Sequence, residues 1–149
     1  NHDVLTHLYT RCKYEHDLKV FQLANYARLT CIYMDAVGLH EINNHLGHEA
    51  GDHMLRSIAD GIRKYFPDDC AYRIGGDEFA VMLDINLSPD QLEHLLTQFL
   101  RVYFRYLEQV TVSCSIGAYR LFFRRSSSTC SLKPIACSIR PRKTAERAS

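Results

Sequence analysis

Apolar and polar positions divide residues 1–119 into segments with two different periods. Apolar residues recur at helical spacing in 12–27, 51–66 and 88–100. A compact apolar run predicts a buried strand at 29–34, strand-like runs predict two more at 70–74 and 79–83, and alternation predicts a fourth at 110–116. Gly75 and Gly76 join the second and third runs, which predicts a hairpin with an exposed tip. The order helix, strand, helix, hairpin, helix, strand predicts an α+β, ferredoxin-like sheet with helices on one face.

Residues 120–149 follow neither period, and their charge differs from that of the rest of the chain. Residues 1–119 contain 10 Lys/Arg and 16 Asp/Glu, a net charge of −6, whereas 120–149 contain 8 Lys/Arg and one acid, a net charge of +7. By pattern alone this tail is predicted to be disordered. A basic tail on an acidic domain is also typical of an arm that binds nucleic acid or an anionic membrane.

The composition is that of a single globular domain. The chain has 149 residues, of which 46% are apolar and 23% charged. No apolar run approaches the roughly 20 residues that cross a bilayer, and no signal peptide is evident, which predicts a cytoplasmic location. The six cysteines fall at no metal-ligand spacing and are expected to be reduced thiols.

Carboxylates occur at two points where the predicted strands end. Asp35 closes the first strand, and Asp77 and Glu78 lie at the hairpin tip. If these strands are neighbours in one sheet, the three acids converge at one edge. Clustered carboxylates without Cys or His suit Mg²⁺, which completes its shell with water and substrate phosphates. The alternative is that Asp35 only caps a strand and that Asp77 and Glu78 are turn residues.

Several blocks in order favour the first interpretation, because together they resemble the GGDEF family, the diguanylate cyclases. The blocks are D-x-L-T-x-L-x-x-R at 3–11, a D-to-G-D block at 35–52, R-x-G-G-D-E-F at 73–79 and S-x-G at 115–117. The resemblance implies a palm-like, antiparallel-rich, nucleotide-cyclase-like sheet. It divides the chain into a GGDEF domain at 1–119, truncated at its C-terminal end, and a tail at 120–149.

The resemblance also implies an activity in bacterial signalling. In the family each domain binds one GTP, and two domains face each other as a homodimer to make cyclic di-GMP with release of pyrophosphate. Two Mg²⁺ ions per active site, with Mn²⁺ as an alternative, are expected on Asp35, Asp77 and the backbone carbonyl of Ala36. Glu78 is implied as an auxiliary ligand or proton acceptor. A sensory or dimerisation domain is expected upstream, outside this chain, in a larger protein that can be membrane-bound; neither nucleic acid nor membrane is an expected partner of this segment.

Substrate-binding residues follow from the same blocks. Asn43 and Asp52 match the guanine-reading positions, and Asp52 predicts guanine over adenine because a carboxylate accepts from both guanine N1–H and N2–H₂. Gly75 and Gly76 allow close backbone approach to the nucleotide. The structural alternatives are Asn43 as a turn former and Asp52 as the N-cap of the next helix.

Three departures from the family concern activity. Val37 replaces the second Asp of the family's D-x-D, and Leu39 replaces its Phe. His40 replaces its Lys, which is expected near the phosphates. They weaken the expectation of high turnover and leave a second hypothesis open: an inactive GGDEF domain that binds GTP, cyclic di-GMP or a protein partner.

A fourth departure concerns regulation. The family's inhibitory product site reads R-x-x-D, and here Phe66 occupies the Arg position while Asp69 is retained. Product inhibition through this site is predicted to be absent or weak.

The tail is consistent with a shifted reading frame. Back-translated residues 133–146, read from the third base of each codon, permit A-D-R-M-L-Y-Q-A-K-E-N-G-R, which resembles the family's last, phosphate-contacting helix. We hypothesise a single-base frameshift between about Ala118 and Cys130.

Overall fold

The computed structural model describes residues 1–23, 29–67, 70–83, 89–114, 120–126 and 129–135. These residues form one seven-stranded sheet with strand order β1-β3-β4-β2-β5-β6-β7. All neighbouring strands are antiparallel except β1 and β3, which are parallel. None of the helices within these ranges is both long and apolar enough to cross a membrane.

The elements alternate along the chain in a pattern close to the predicted one. In chain order they are β1 Tyr9–Thr10, α1 Arg11–Leu23, β2 Thr30–Ala36, α2 Leu39–Leu46, α3 His48–Tyr65, β3 Ala71–Arg73, β4 Glu78–Leu83, α4 Pro89–Tyr103, β5 Leu107–Cys114, β6 Arg120–Ser126 and β7 Thr129–Ile135. A short 3₁₀ turn, Phe104–Tyr106, connects α4 to β5.

The sheet is covered on both faces, because its central strands are apolar on both sides. In β2, Ile32 and Met34 belong to one core cluster, together with residues of α3 and α4. Cys31 belongs to a second cluster, against which Tyr14, Leu18 and Phe21 of α1 pack. Side chains alternate between the faces of a strand, so α1 lies opposite α3 and α4. The expectation of helices on one face only is therefore wrong, although the α+β fold class is confirmed.

The cores of the two faces differ in chemistry. The α3/α4 face is apolar and aromatic, with the ring of Phe99 at 5.7 Å from that of Phe66 and 5.2 Å from that of Tyr103. The α1 face contains a polar network, in which the hydroxyls of Tyr14 and Tyr33 are 2.6 Å apart and Tyr72 donates to Asp17 at 2.6 Å.

Two helical segments differ from the sequence prediction. Helix α2 was not predicted, because none of its residues is buried and its apolar pattern is too short to be distinctive. Helix α3 begins at His48 with Gly47 as its N-cap, so Asp52 lies inside the helix. The alternative role of Asp52 as an N-cap is therefore wrong.

The tail also differs from its prediction. Residues 120–126 and 129–135, for which no element was expected, form β6 and β7, and β6 pairs with the free edge of β5. Backbone pairing with an available edge requires no side-chain period, which explains why the pattern gave no signal. Residues 136–149 lie outside the described residues, as do 24–28, Asp68 and Asp69, for which a turn was predicted, and the S-x-G block at 115–117.

Candidate active site

Three acids meet where β2 ends beside the β3–β4 hairpin. Asp35 of β2 is the direct register partner of Glu78 at the start of β4. The backbone N–H of Ala36 donates to the carbonyl of Asp77 at 2.8 Å, which fixes the residue before Glu78 as well. The prediction that the two strands are neighbours, and that their acids share one edge, is confirmed.

A β-bulge shapes the end of β2 on its other side. Asp35 pairs with Gln109 of β5, whereas Ala36 pairs with Leu107, so Glu108 is an extra residue in β5. The N–H of Val37 then donates to the carbonyl of Tyr106 at 2.9 Å. A bulge bends the strand that carries the extra residue and increases its local twist, so β5 changes direction beside Asp35 and Ala36.

The electrostatics of the acids favour a cation. Burial, together with the charges of Glu78 and Asp77, raises the pKa of Asp35 above its ordinary value of 3.8. The described residues contain no group of three or more His, Cys, Asp or Glu side chains arranged around a metal position. The donors expected from the sequence are two carboxylates, Asp35 and Asp77, and the backbone carbonyl of Ala36. These few oxygen donors fit Mg²⁺, which keeps waters and substrate phosphates in its shell.

The hairpin tip owes its shape to its glycines and its backbone bonds. Ile74 and Gly75 donate their N–H groups to the carbonyl of Glu78, at 2.9 and 3.3 Å. A Cβ on Gly75 would lie 2.7 Å from Glu78 Oε2, so a side chain there would displace this carboxylate. A Cβ on Gly76 would meet no atom within 4 Å, so this residue is exposed and unpacked.

The predicted guanine-reading residues lie on α2 and α3, which pack against each other. A Cβ on Gly51 would overlap Asn43 Oδ1 and lie 3.0 Å from Leu39 Cδ1, so only glycine lets the helices approach this closely. Asn43 Oδ1 is buried and has no hydrogen-bond partner among the described residues. A buried acceptor without a donor is costly, and this one faces Gly51 across the contact between the two helices. Asp52 follows Gly51 in α3 and is half-buried.

The residue that replaces the family's Lys lies on the outer side of α2. His40 is exposed, and its Nε2 is 3.1 Å from Asn44 Nδ2, one helical turn further along. Leu39 is half-buried and packs against the larger core cluster. Within the described part of the chain, neither residue forms a hydrogen bond or an ion pair with the three acids.

The residue at the position of the inhibitory Arg is a core residue. Phe66 is 3% exposed and its ring packs edge-on against Phe99. Its side chain therefore contributes to the α3/α4 core and presents no charged group at the surface.

Sequence reasoning assigned no role to Arg73, which the structure brings to the hairpin tip. Its Nη2 donates to the carbonyl of Gly76 at 2.8 Å, and its Nη1 contacts both carboxylate oxygens of Asp3 at 3.1 and 3.3 Å. The available signal was an arginine placed two residues before the glycine pair in an otherwise apolar strand. Its partner Asp3 is 70 positions away, which no local pattern shows.

Comparison with known proteins agrees with this arrangement. The sequence model of the family described as "Diguanylate cyclase, GGDEF domain" matches residues 1–132. Diguanylate cyclase TpbB from Pseudomonas aeruginosa is 42% identical over 87 residues, which are 56% of this chain and 20% of that protein. The cyclic di-GMP phosphodiesterase NbdA from the same species is 37% identical over 73 residues, 48% of this chain and 9% of that protein.

A solved structure extends the comparison to three dimensions. The isolated GGDEF domain of TpbB has a TM-score of 0.60 to this chain at 28% identity, and the match covers 76% of this chain and 74% of that one. The chain spans about a fifth or less of the length of the two curated relatives described above. Since the family match covers most of the chain, this protein belongs to the GGDEF family of diguanylate cyclase domains.

Proposed function

We propose that this domain is a diguanylate cyclase that condenses two GTP molecules into cyclic di-GMP. The 3′-hydroxyl of each GTP attacks the α-phosphorus of the other, so two phosphodiester bonds form and two pyrophosphates leave. One domain presents one GTP, and a second copy of the domain presents the other. The observation that carries the proposal is the meeting of Asp35, Asp77 and Glu78 at one sheet edge, in a chain that belongs to this family.

The acids have separate roles in this proposal. Asp35, Asp77 and the Ala36 carbonyl would hold Mg²⁺, which when bound neutralises triphosphate charge and lowers the pKa of the attacking hydroxyl. Glu78 lies opposite Asp35 and is placed to supply a further ligand or to accept the hydroxyl proton. Gly75 and Gly76 leave the backbone of the tip accessible to the nucleotide.

Asn43 and Asp52 would select the base. The side-chain amide of Asn43 has no hydrogen-bond partner for its Oδ1 among the described residues, and after a rotation of this side chain its oxygen would accept from an amino group on a purine. A carboxylate at Asp52 accepts from guanine N1–H and N2–H₂ together, whereas adenine offers no such pair. The same argument disfavours products that contain adenine.

The direct test measures cyclic di-GMP formation from GTP and Mg²⁺. Two chains are compared: the present one and one carrying A-D-R-M-L-Y-Q-A-K-E-N-G-R in the shifted frame from residue 133. Product from either chain, lost by about 100-fold or more in Asp77→Asn, supports the proposal. No product from either chain, with GTP binding intact, contradicts it.

A base-competition experiment tests the role of Asp52. The variant Asp52→Ala is expected to lose at least about 10-fold in preference for GTP over ATP, because the paired acceptor for guanine is removed. The neighbouring exposed His53→Ala in the same helix is the matched control and should keep the preference. An unchanged preference in Asp52→Ala would remove this residue from base selection.

A second function, as a non-catalytic nucleotide-binding module, is favoured by one observation. Val37 and His40 replace an acid near the metal position and a permanent positive charge expected near the phosphates. A relative named as a cyclic di-GMP phosphodiesterase contains a segment similar to this domain. Saturable binding of GTP or cyclic di-GMP by both chains without product would establish this function instead.

If the domain is a cyclase, product inhibition is expected to be weak. Phe66 stands where the family's inhibitory site has Arg, and its ring is committed to the core. Turnover measured with increasing cyclic di-GMP should therefore show no tight inhibition through this position.

A further inference from the structure

The N-terminal turn and the hairpin tip share one arginine side chain. Arg73 contacts Asp3 with Nη1 and the carbonyl of Gly76 with Nη2, at 3.1 and 2.8 Å. The side chains of Arg73 and Asp3 are only 16% and 24% exposed, so this ion pair is partly shielded from water and salt. A planar guanidinium can bind both groups at once, in a fixed geometry.

The turn that contains Asp3 is itself anchored. Asp3 Oδ2 accepts from the N–H and the hydroxyl of Thr6 at 2.8 and 2.7 Å, and Arg63 of α3 donates to the Thr6 carbonyl. Burial alone would raise the pKa of Asp3, but the hydrogen bonds from Thr6 and Arg73 hold it below its ordinary value of 3.8. Asp3 is therefore a fixed, charged support for Arg73.

The backbone bonds of the hairpin hold Ile74, Gly75 and Glu78, and the Arg73 side chain holds the Gly76 carbonyl between them. Gly76 is exposed, and a Cβ built on it meets nothing within 4 Å. The peptide after Gly76 carries Asp77, whose own carbonyl is held by Ala36. Asp77 is thus fixed on one side by the β2 backbone and on the other by Arg73.

We infer that Arg73 is a positioning residue for Asp77, and that the turn at Asp3–Leu8 sets the orientation of Arg73. The inference deepens the proposed function and rests on it for its catalytic consequence. A displacement of the N-terminal turn would release the Gly76 carbonyl and loosen the backbone at Asp77. A movement of the residues before Asp3 would therefore be transmitted through Arg73 to the backbone of Asp77, a candidate metal ligand.

Three variants separate this role from a general effect on stability. Arg73→Lys keeps the charge but cannot bridge both partners, Arg73→Met removes both contacts, and Asp3→Asn keeps the Gly76 contact but removes the ion pair. Arg11→Met is the matched control, since it removes an exposed Arg–Glu pair of α1 and none of the contacts of the Arg73 side chain.

Hydrogen exchange of the amides at 74–78 is the readout that requires no activity. We expect at least about 10-fold faster exchange there in both Arg73 variants and in Asp3→Asn, with no change in Arg11→Met. Unchanged exchange in Arg73→Lys and Asp3→Asn would overturn the inference, even if Arg73→Met fails to fold.

Kinetics test the catalytic consequence separately. Misplacement of a reacting group by about 1 Å reduces the rate by up to about 100-fold, so kcat should fall in Arg73→Lys while KM for GTP stays within about 3-fold. An equal fall in Arg11→Met would mean a general structural effect and would contradict the inference. If neither the present chain nor the chain with the shifted frame makes product, the proposed function fails, and hydrogen exchange still decides whether Arg73 positions the tip.

Discussion

At the scale of single residues, two glycines of α3 have different neighbours and predict different defects. Gly51→Ala places a Cβ against Asn43 Oδ1, so we expect about 10-fold weaker binding of a non-hydrolysable GTP analogue. Gly61→Ala places a Cβ 2.5 Å from Tyr103 Cζ, and overpacking of this kind costs about 1–3 kcal/mol of stability.

Each glycine variant is the control for the other. Alanine is intrinsically favoured over glycine in a helix by about 1 kcal/mol, so a loss of stability in Gly61→Ala would identify the clash as its cause. Calorimetric titration and thermal unfolding of both variants measure the two effects. Equal losses of nucleotide affinity would contradict the assignment of Asn43 to the nucleotide site.

The acid at the end of β2 predicts a dependence on pH and on metal. Because the pKa of Asp35 is raised in the folded state, the folded chain binds this proton more tightly, and stability falls as pH rises from 3.8 through the raised value. Asp35→Asn should therefore melt higher than the parent at pH 7 without metal, and the difference should vanish below pH 3.8.

Magnesium should reverse that order, because it binds the folded parent and not the variant. Thermal scans of both proteins at pH 3 and pH 7, with and without MgCl₂, measure the two effects. A parent protein that melts at the same temperature with and without Mg²⁺ would argue against a metal site at Asp35.

The residue types at the site could be predicted, but not all of their contacts. Asp35, Asp77 and Glu78 stand at a strand end and a glycine hairpin, and the ordered blocks that resemble the GGDEF family, rather than these local patterns, gave them an expected role. Arg73 was given none, because its role depends on Asp3, which comes near it only in the folded sheet. Asp52 was placed at a helix start because its own helix begins earlier, at His48, without a capping side chain.

At the scale of elements, α1 is attached to the sheet by a polar network that predicts acid sensitivity. Burial alone would raise the pKa of Asp17, but hydrogen bonds from Lys13 and Tyr72 lower it. A lowered pKa stabilises the fold above the ordinary value of 3.8, and this stabilisation is lost as pH falls through the folded-state pKa.

Replacement of this acid should therefore matter only where it is ionised. Asp17→Asn is expected to lower the melting temperature by about 3 °C at pH 7 and to have little effect near pH 2. Glu15→Gln, which removes an exposed pair with Arg11 on the same helix, is the control and should change little at either pH. If Asp17→Asn lowers the melting temperature equally at pH 7 and near pH 2, the stabilisation by Asp17 does not come from its charge.

The elements themselves were predictable where they bury apolar residues. The central strands and the α3 and α4 helices have continuous or periodic apolar positions, and each was predicted within a few residues of its observed bounds. The sidedness of the helices was not predictable, because both faces of β2 are apolar and the sequence does not say which helix covers which face.

At the scale of the whole molecule, the tail has two explanations: its strands belong to the fold of this domain, or its residues result from a frameshift. Strands β6 and β7 extend the sheet beyond β5, whereas the frameshift hypothesis holds that residues after about Ala118 are not those of the family. Sequencing of the coding DNA tests the hypothesis, which fails if the codons forbid the shifted frame.

Stability measurements on three chains give a second test of the tail. The chains are the present one, one that ends at Tyr119, and one with the shifted frame restored from residue 133. The frameshift hypothesis predicts equal melting temperatures for the first two, and a higher one for the third, because a restored helix would cover apolar sheet surface. A less stable truncated chain would show that β6 and β7 belong to the fold and would contradict the hypothesis.

The central position of β2 has a consequence for biosynthesis. Both of its neighbours, β4 and β5, follow it in the chain, and its partners run from Glu78 to Cys114. At about 5–20 residues per second, a ribosome needs several seconds to synthesise those partners after Ala36 has been added. During that interval the strand that carries Asp35 is an unpaired apolar segment, so the nascent chain is a substrate for chaperones before it can bind nucleotide.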